Sequence, residues 1–325
     1  MFYSYNDKSV KLTGRWGEYN SSACSTAPGS FFTVAFCGEC AVLHFDVSDN
    51  IQPRPHLYIS VDSSAAVECS VDRYIRIKAD GNLRHTVKVI YKSAVEMQHR
   101  WHTPLIGKVS FLGYEAEANA DNQPDSKKTI EFVGDSITEG VLIDEFRRPD
   151  KNSDQNNRVY QDDSTATYAY LTAQELGLTP LNMGYGAVGV THGGCGGVPK
   201  AAEAYPYCFE GCKVSYSSPD YILINHGAND RGATADEYIA DYRALLDTIR
   251  AINPTSQIIA LSAFCKAYPD ELGKFINEYN KENSCRILFI DSTGWVEPEP
   301  LHPPREGHKI IAEKLCAVLR EELNL

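Results

Sequence analysis

The sequence predicts an α/β fold preceded by an all-β region, and two observations carry that prediction. From about residue 10 to 117 the chain holds short apolar or alternating runs broken by turn residues, with no helix of useful length between them. From Thr129 onward, apolar runs of strand length alternate with segments of helical periodicity. The first pattern suggests a β-sandwich or jelly roll. The second argues for a parallel sheet covered on both faces, with ligands at the carboxyl ends of its strands.

In the N-terminal region the strand candidates are Phe31–Phe36, Ala41–Val47, His56–Val61, Tyr74–Ile77, Thr86–Tyr91 and Val109–Leu112. Residues 116–128 are small, polar and charged, as expected of a connector. This gives an organisation of residues 1–120 as a β-sandwich (jelly-roll-like) accessory domain and 128–325 as a second, α/β domain. In the latter the expected strands are 129–133, 180–183, 220–225, 257–262 and 286–291. The clearest helix spans 235–252, where Tyr238, Tyr242, Leu245, Leu246, Ile249 and Ile252 share one face. Thr234 and Glu237 form a capping-box pattern at its start and Asn253-Pro254 stops it. A last helix begins after Pro304 and carries Ile310, Ile311, Leu315, Val318, Leu319 and Leu323. The polar segment Asp144–Ser164 reads as an insertion loop bordering a site.

Four segments carry chemistry. Thr129–Val133 runs into Gly134-Asp135-Ser136, so Ser136 sits where a buried strand breaks into a turn. Such a turn exposes a hydroxyl beside free backbone N–H groups, and a serine there acts as a nucleophile when a base is in reach. Leu181–Gly189 is a strand end that opens into a Gly-rich loop with exposed N–H groups. Ile222–Asp230 is another, and the Asn229 amide there can donate to a developing oxyanion. Finally, Glu299 precedes His302 by three residues in a Pro-rich loop, a spacing that lets an acid hold an imidazole in one tautomer.

Together these segments resemble the SGNH (GDSL-type) hydrolase superfamily, esterases that use Ser, Gly, Asn and His from four sequence blocks. Ser136 matches the first block, the Gly184–Gly189 loop the second, Gly227-Ala228-Asn229-Asp230 the third, and Glu299 to His302 the last. The resemblance covers about residues 128–325. It implies a flavodoxin-like three-layer domain, a Ser136–His302–Glu299 triad and an oxyanion hole from Ser136, Gly186, Ala187 and Asn229. Two positions depart from the family pattern. The oxyanion glycine aligns with Ala187, with Gly186 one step away, and the acid is Glu299 where an aspartate is usual. Either that longer carboxylate or a backbone carbonyl supports the histidine.

A β region before such a domain is similar to carbohydrate esterase family two, which removes acetyl groups from xylan and mannan. Leu83–Val89 and Phe111-Leu112-Gly113-Tyr114 share in that likeness. The implied partner is an acetylated oligosaccharide, and the implied chemistry uses neither a metal nor an organic cofactor. Trp295, seven residues before His302, is a candidate platform for a sugar ring, with loop packing as its other role. His308 suits helix packing, and His192, His226 and the His99/His102 pair are further ligand candidates. The alternatives are a general small-acyl esterase or thioesterase, and a glycan-binding protein without activity.

Composition bounds these readings. The chain has 325 residues and a net charge of −12, which argues against nucleic-acid or anionic-membrane partners. No apolar run reaches the roughly 18 residues that a transmembrane helix needs. Met1–Lys8 lacks the basic and apolar regions of a signal peptide, so the expected location is cytoplasmic. The ten cysteines include one CxxC, Cys37–Cys40, with no second pair to complete a zinc site, and are expected to be reduced thiols. The sequence leaves the oligomeric state open.

Overall fold

The computed structural model describes residues 1–81, 83–122, 127–144, 158–215 and 218–325. Its first part is an antiparallel sheet of ten strands: β1 (Phe2–Ser4), β2 (Val10–Thr13), β3 (Gly17–Tyr19), β4 (Ser22–Ser25), β5 (Phe31–Phe45), β6 (His56–Val61), β7 (Val67–Ser70), β8 (Tyr74–Lys78), β9 (Arg84–Ser93) and β10 (Val109–Asn119). The two expected strands at 31–36 and 41–47 are one strand, β5. It changes partners along its length: on one edge Phe31–Cys37 pairs with β9 and Cys40–His44 with β8, while on the other edge Phe31–Val34 pairs with β2 and Phe36–Phe45 with β10. A bulge at the changeover sets three β5 residues against one of β10, and Gly38 there has φ +115°, which suits glycine. Trp16, Phe32, Phe36, Phe45, Phe111 and Tyr114 fill the core that this sheet encloses. The expected connector begins too early: Ala116–Asn119 belong to β10, because Glu115 and Ala116 continue its pairing with Val42 and Ala41. Residues 123–126 of that connector lie outside the described residues.

The second part is a five-stranded, all-parallel sheet. In chain order its elements, with those between them, are β11 (Thr129–Gly134), α1 (Ser136–Glu139), α2 (Arg158–Gln161), α3 (Tyr168–Glu175), β12 (Thr179–Gly184), α4 (Ala201–Ala204), the hairpin β13 (Tyr207–Phe209) and β14 (Cys212–Lys213), β15 (Tyr221–Asn225), α5 (Ala235–Ile252), β16 (Gln257–Leu261), α6 (Pro269–Asn283), β17 (Leu288–Ile290) and α7 (Arg305–Leu323). The strand order is β12-β11-β15-β16-β17, the flavodoxin-like order in which a crevice opens between the first and third strands in sequence. Val133, Ile222, Ile224, Ile258 and Ala260 face α5 and α6. Phe132, Leu223, Ile259 and Leu261 face α3 and α7. Both faces are therefore covered, which is why these strands read as continuous apolar runs. The capping box at Thr234 and Glu237 forms as expected.

The helix α6 was not among the sequence expectations, although Leu272, Phe275, Ile276 and Tyr279 share a buried face at helical spacing. The expected loop at 144–164 contains α2 and a 3₁₀ turn at Ser164–Ala166, and residues 145–157 of it lie outside the described residues. Polar contacts join the two sheets. Arg15, before β3, pairs at 2.9 Å with Glu131 in β11, and both are buried. The Asn182 amide of β12 donates to the Pro28 carbonyl at 2.9 Å. Among the described residues no helix is long and apolar enough to cross a membrane.

Candidate active site

Three strand ends and one loop converge at the carboxyl edge of the parallel sheet. The first turn after β11 is compressed, and its glycines permit this. A Cβ at Gly134 would collide with the Thr138 hydroxyl, and one at Gly184 with the Glu139 backbone. Asp135 caps α1 by accepting the Ile137 N–H at 2.9 Å, which fixes Ser136 at the first helical position. Ser136 Oγ lies 2.8 Å from His302 Nε2, although 166 residues separate the two in sequence. His302 arrives from the loop between β17 and α7.

Asn229 follows β15, and its amide donates to Asp135 Oδ2 at 3.3 Å and to the Val188 carbonyl at 3.2 Å. Asp230 is buried and accepts the N–H groups of Val190 at 3.2 Å and Thr191 at 2.9 Å. The third block thereby holds the second-block loop from a distant part of the chain. His192 donates from Nε2 to the Asn229 carbonyl at 3.0 Å, which adds a second tie.

The Gly186 N–H, expected to face a reacting oxygen, instead donates to Glu139 Oε2 at 2.6 Å. Ala187 follows with φ +58°, a left-handed conformation that explains why a glycine is usual there. Glu299 is exposed, and among the described residues its carboxylate enters no ion pair or hydrogen bond. It lines, with Trp295, Pro300, Pro303 and Pro304, a surface cavity of about 400 Å³ that touches neither Ser136 nor His302. Trp295 is half-buried and packs against the core between the sheet, α3 and α7. His308 is a packing residue: it is buried and accepts the Tyr168 N–H on Nδ1 at 3.0 Å. His226 is buried, and His102 pairs at the surface with Glu210. Among the described residues no group of three or more His, Cys, Asp or Glu side chains is placed to hold a metal ion.

The electrostatics are those of a dry site. Burial, with Asp230 and Glu139 nearby, pushes the Asp135 carboxyl up to about 7. Burial also raises Glu139, against the pull of Arg100. Arg100 and Glu139 were missed by sequence reading. The only signal was a carboxylate one helical turn after Ser136 with no cation near it in sequence. Chemically, the geometry sets a basic nitrogen against a hydroxyl at the mouth of a water-poor turn.

Residues 132–310, more than half of the chain, match the profile of the GDSL-like Lipase/Acylhydrolase family. The chain belongs to that family. It is accordingly a carboxylic ester hydrolase. Among solved structures, this GDSL-like hydrolase is similar to a family two carbohydrate esterase from Cellvibrio japonicus, at 17% identity and TM-score 0.81, over 99% of this chain and 97% of that one. It is similar to an acetyl xylan esterase from the rumen bacterium Butyrivibrio proteoclasticus, at 16% identity and TM-score 0.78, over 100% and 99%. It is also similar to a family two carbohydrate esterase from Clostridium thermocellum in complex with cellohexaose, at 20% identity and TM-score 0.76, over 97% and 99%. These likenesses establish a shared fold that includes the N-terminal sheet. No curated protein sequence matches the chain.

Proposed function

We propose that this hydrolase removes O-acetyl groups from sugar hydroxyls of plant-type oligo- or polysaccharides, xylan or mannan, through an acyl-enzyme on Ser136. The observation that carries the proposal is the 2.8 Å approach of His302 Nε2 to Ser136 Oγ. In this reading His302 takes the hydroxyl proton as Ser136 attacks the ester carbonyl, then returns it to the leaving sugar alcohol. Water next attacks the acyl-enzyme, with His302 again as base. The oxyanion is met by the N–H groups of Ser136 and Ala187 and by the Asn229 amide. Both amide bonds of Asn229 are long, so a charged oxygen competes well for one of its hydrogens. One such donor is worth roughly 3 kcal/mol of barrier. The chemistry needs no cofactor.

The sugar substrate is supported by the full-length likeness to family two carbohydrate esterases. In that reading residues 1–120 form an accessory domain and 128–325 the catalytic one. Trp295, lining the cavity beside the His302 loop, is assigned to a sugar ring. The test compares wild type with Ser136→Ala on acetylated xylo- and manno-oligosaccharides and on p-nitrophenyl esters of increasing acyl length. Acetate release by wild type alone supports the proposal. Equal rates in both proteins would refute the serine mechanism, and preference for acyl chains of about eight carbons or more would refute the sugar substrate.

A further inference from the structure

The loop that is to supply the Ala187 N–H is held from a direction that the four sequence blocks do not contain. Both backbone polar groups of Gly186 are engaged: its N–H donates to Glu139 Oε2 at 2.6 Å, and its carbonyl accepts the Cys195 N–H at 2.8 Å. The carbonyl bond orients the Gly186–Ala187 peptide, which carries the Ala187 N–H, and the Glu139 bond fixes the Tyr185–Gly186 peptide that joins it at the Gly186 Cα. The carboxylate that takes the Gly186 N–H is buried, and a buried carboxylate needs a cation or several hydrogen-bond donors to keep its charge.

That cation is Arg100, itself fully buried and contributed by the segment between β9 and β10. Its Nη1 pairs closely with Glu139 Oε1, and its Nη2 donates to Oε2 at 3.2 Å, the forked geometry that a guanidinium provides and an ammonium does not. Burial works against the charge on Arg100, yet Glu139 outweighs it and holds the guanidinium above its ordinary range. The same segment grips the loop elsewhere. The Arg100 N–H donates to the Gly196 carbonyl at 2.9 Å, and its guanidinium lies 5.4 Å from the centre of the Tyr185 ring. A Cβ at Gly186 would strike the Glu96 carboxylate, and one at Gly196 would lie 2.5 Å from the Gln98 carbonyl.

We propose that Arg100 and Glu139 are positioning residues for the oxyanion loop, so that the N-terminal part of the chain completes the active site and does not merely accompany it. The inference rests on the serine-esterase reading above. Arg100 touches no reacting atom. It acts through Glu139, which acts through the Gly186 peptide.

The test is the double variant Arg100→Met/Glu139→Met, which avoids stranding a buried charge, with Arg100→Lys as the variant that keeps the charge but loses the fork. Each is assayed on p-nitrophenyl acetate for kcat and KM separately. Each is also titrated with phenylboronic acid, whose serine adduct is an anionic tetrahedral boronate with one oxygen where the oxyanion would form, and followed by thermal melting. The expected result for the double variant is a kcat loss of about 100-fold, the size of one lost oxyanion donor. KM should stay within a few-fold, and boronic acid affinity should fall in parallel. Arg100→Lys should show a smaller loss of the same pattern.

A folded double variant that keeps kcat and boronic acid affinity within about two-fold of wild type overturns the inference. If the double variant does not fold, wild-type kcat and boronic acid affinity in Arg100→Lys overturn it just as well. Ser136→Ala separates this failure from the larger one. An inactive Ser136→Ala beside an unaffected pair variant sinks the positioning role alone, whereas an active Ser136→Ala sinks the serine reading itself.

Discussion

A Cβ at Gly186 would lie 2.4 Å from Glu96 Oε2, on a carboxylate that its 3.0 Å pair with Arg158 holds in place, while Ala187, the next residue, carries the positive φ of +58°. Steric need for a glycine and backbone need for a glycine therefore fall on adjacent residues, and only the first is met by one. Gly186→Ala should displace the loop and lower kcat at least ten-fold. Ala187→Gly should leave kcat unchanged, because the backbone N–H is retained. It should also raise the thermal midpoint, since a left-handed alanine costs about 1 kcal/mol. Unchanged activity in Gly186→Ala would contradict this division of roles.

Glu299 and His302 test a different part of the site. An acid that orients a catalytic histidine is worth up to about 10⁴ in kcat. The exposed Glu299 carboxylate, outside any ion pair among the described residues, is not placed for that work. Glu299→Ala should cost only a few-fold in kcat on p-nitrophenyl acetate, against a near-complete loss for His302→Ala. A drop of a thousand-fold or more in Glu299→Ala would restore the carboxylate to the triad.

The contrast between these residues shows what the sequence could reveal. Ser136, Asn229 and His302 were legible because each lies at a strand end or in a short loop whose pattern is local. The parallel strands and α5 were legible because their apolar periodicity is strong. Arg100 was not, since its partner Glu139 lies 39 residues away and the pairing depends on how two sheets dock. The helix α6 was missed because its polar surface outnumbers its four buried side chains. The break between β5's two halves was misread because turn residues inside a strand can mark a bulge as well as an end.

Arg305 offers a check on how the histidine loop is held. It begins α7, three residues after His302, and its guanidinium grips Asp144 through Nε at 2.9 Å and Asp163 through Nη2 at 3.0 Å. The Asp163 N–H in turn donates to the Gly140 carbonyl at 2.9 Å, just beyond Ser136's helix. Arg305→Lys keeps the charge but cannot span both carboxylates. It should lower kcat several-fold with little change in KM, and Arg305→Met should lower it further. Equal kcat in all three proteins would show that the His302 loop needs no such strut.

The buried histidines fix the direction of the acid response. Burial drives His308 down to about 3, with His302 and Arg305 adding to the effect, and drives His226 down to about 4. In the unfolded chain both titrate near 6.5, so below that pH the unfolded state binds more protons than the native one. Stability is therefore full above about pH 6.5 and falls as the pH drops toward about 3, with a slope near 1.4 kcal/mol per pH unit for each histidine. His192 acts in the opposite sense. Its ring donates to the Gly193 and Asn229 carbonyls, which raises its pKa, so its contribution is present at low pH and lost as the pH rises through that raised value. His308→Asn removes one titrating group. Urea unfolding at pH 4, 5, 6 and 7 should show a lower stability at neutral pH but a shallower loss on acidification than wild type. Parallel pH profiles for the two proteins would mean that His308 takes up its proton at the same pH folded and unfolded, and would overturn its assignment as a neutral acceptor of the Tyr168 N–H.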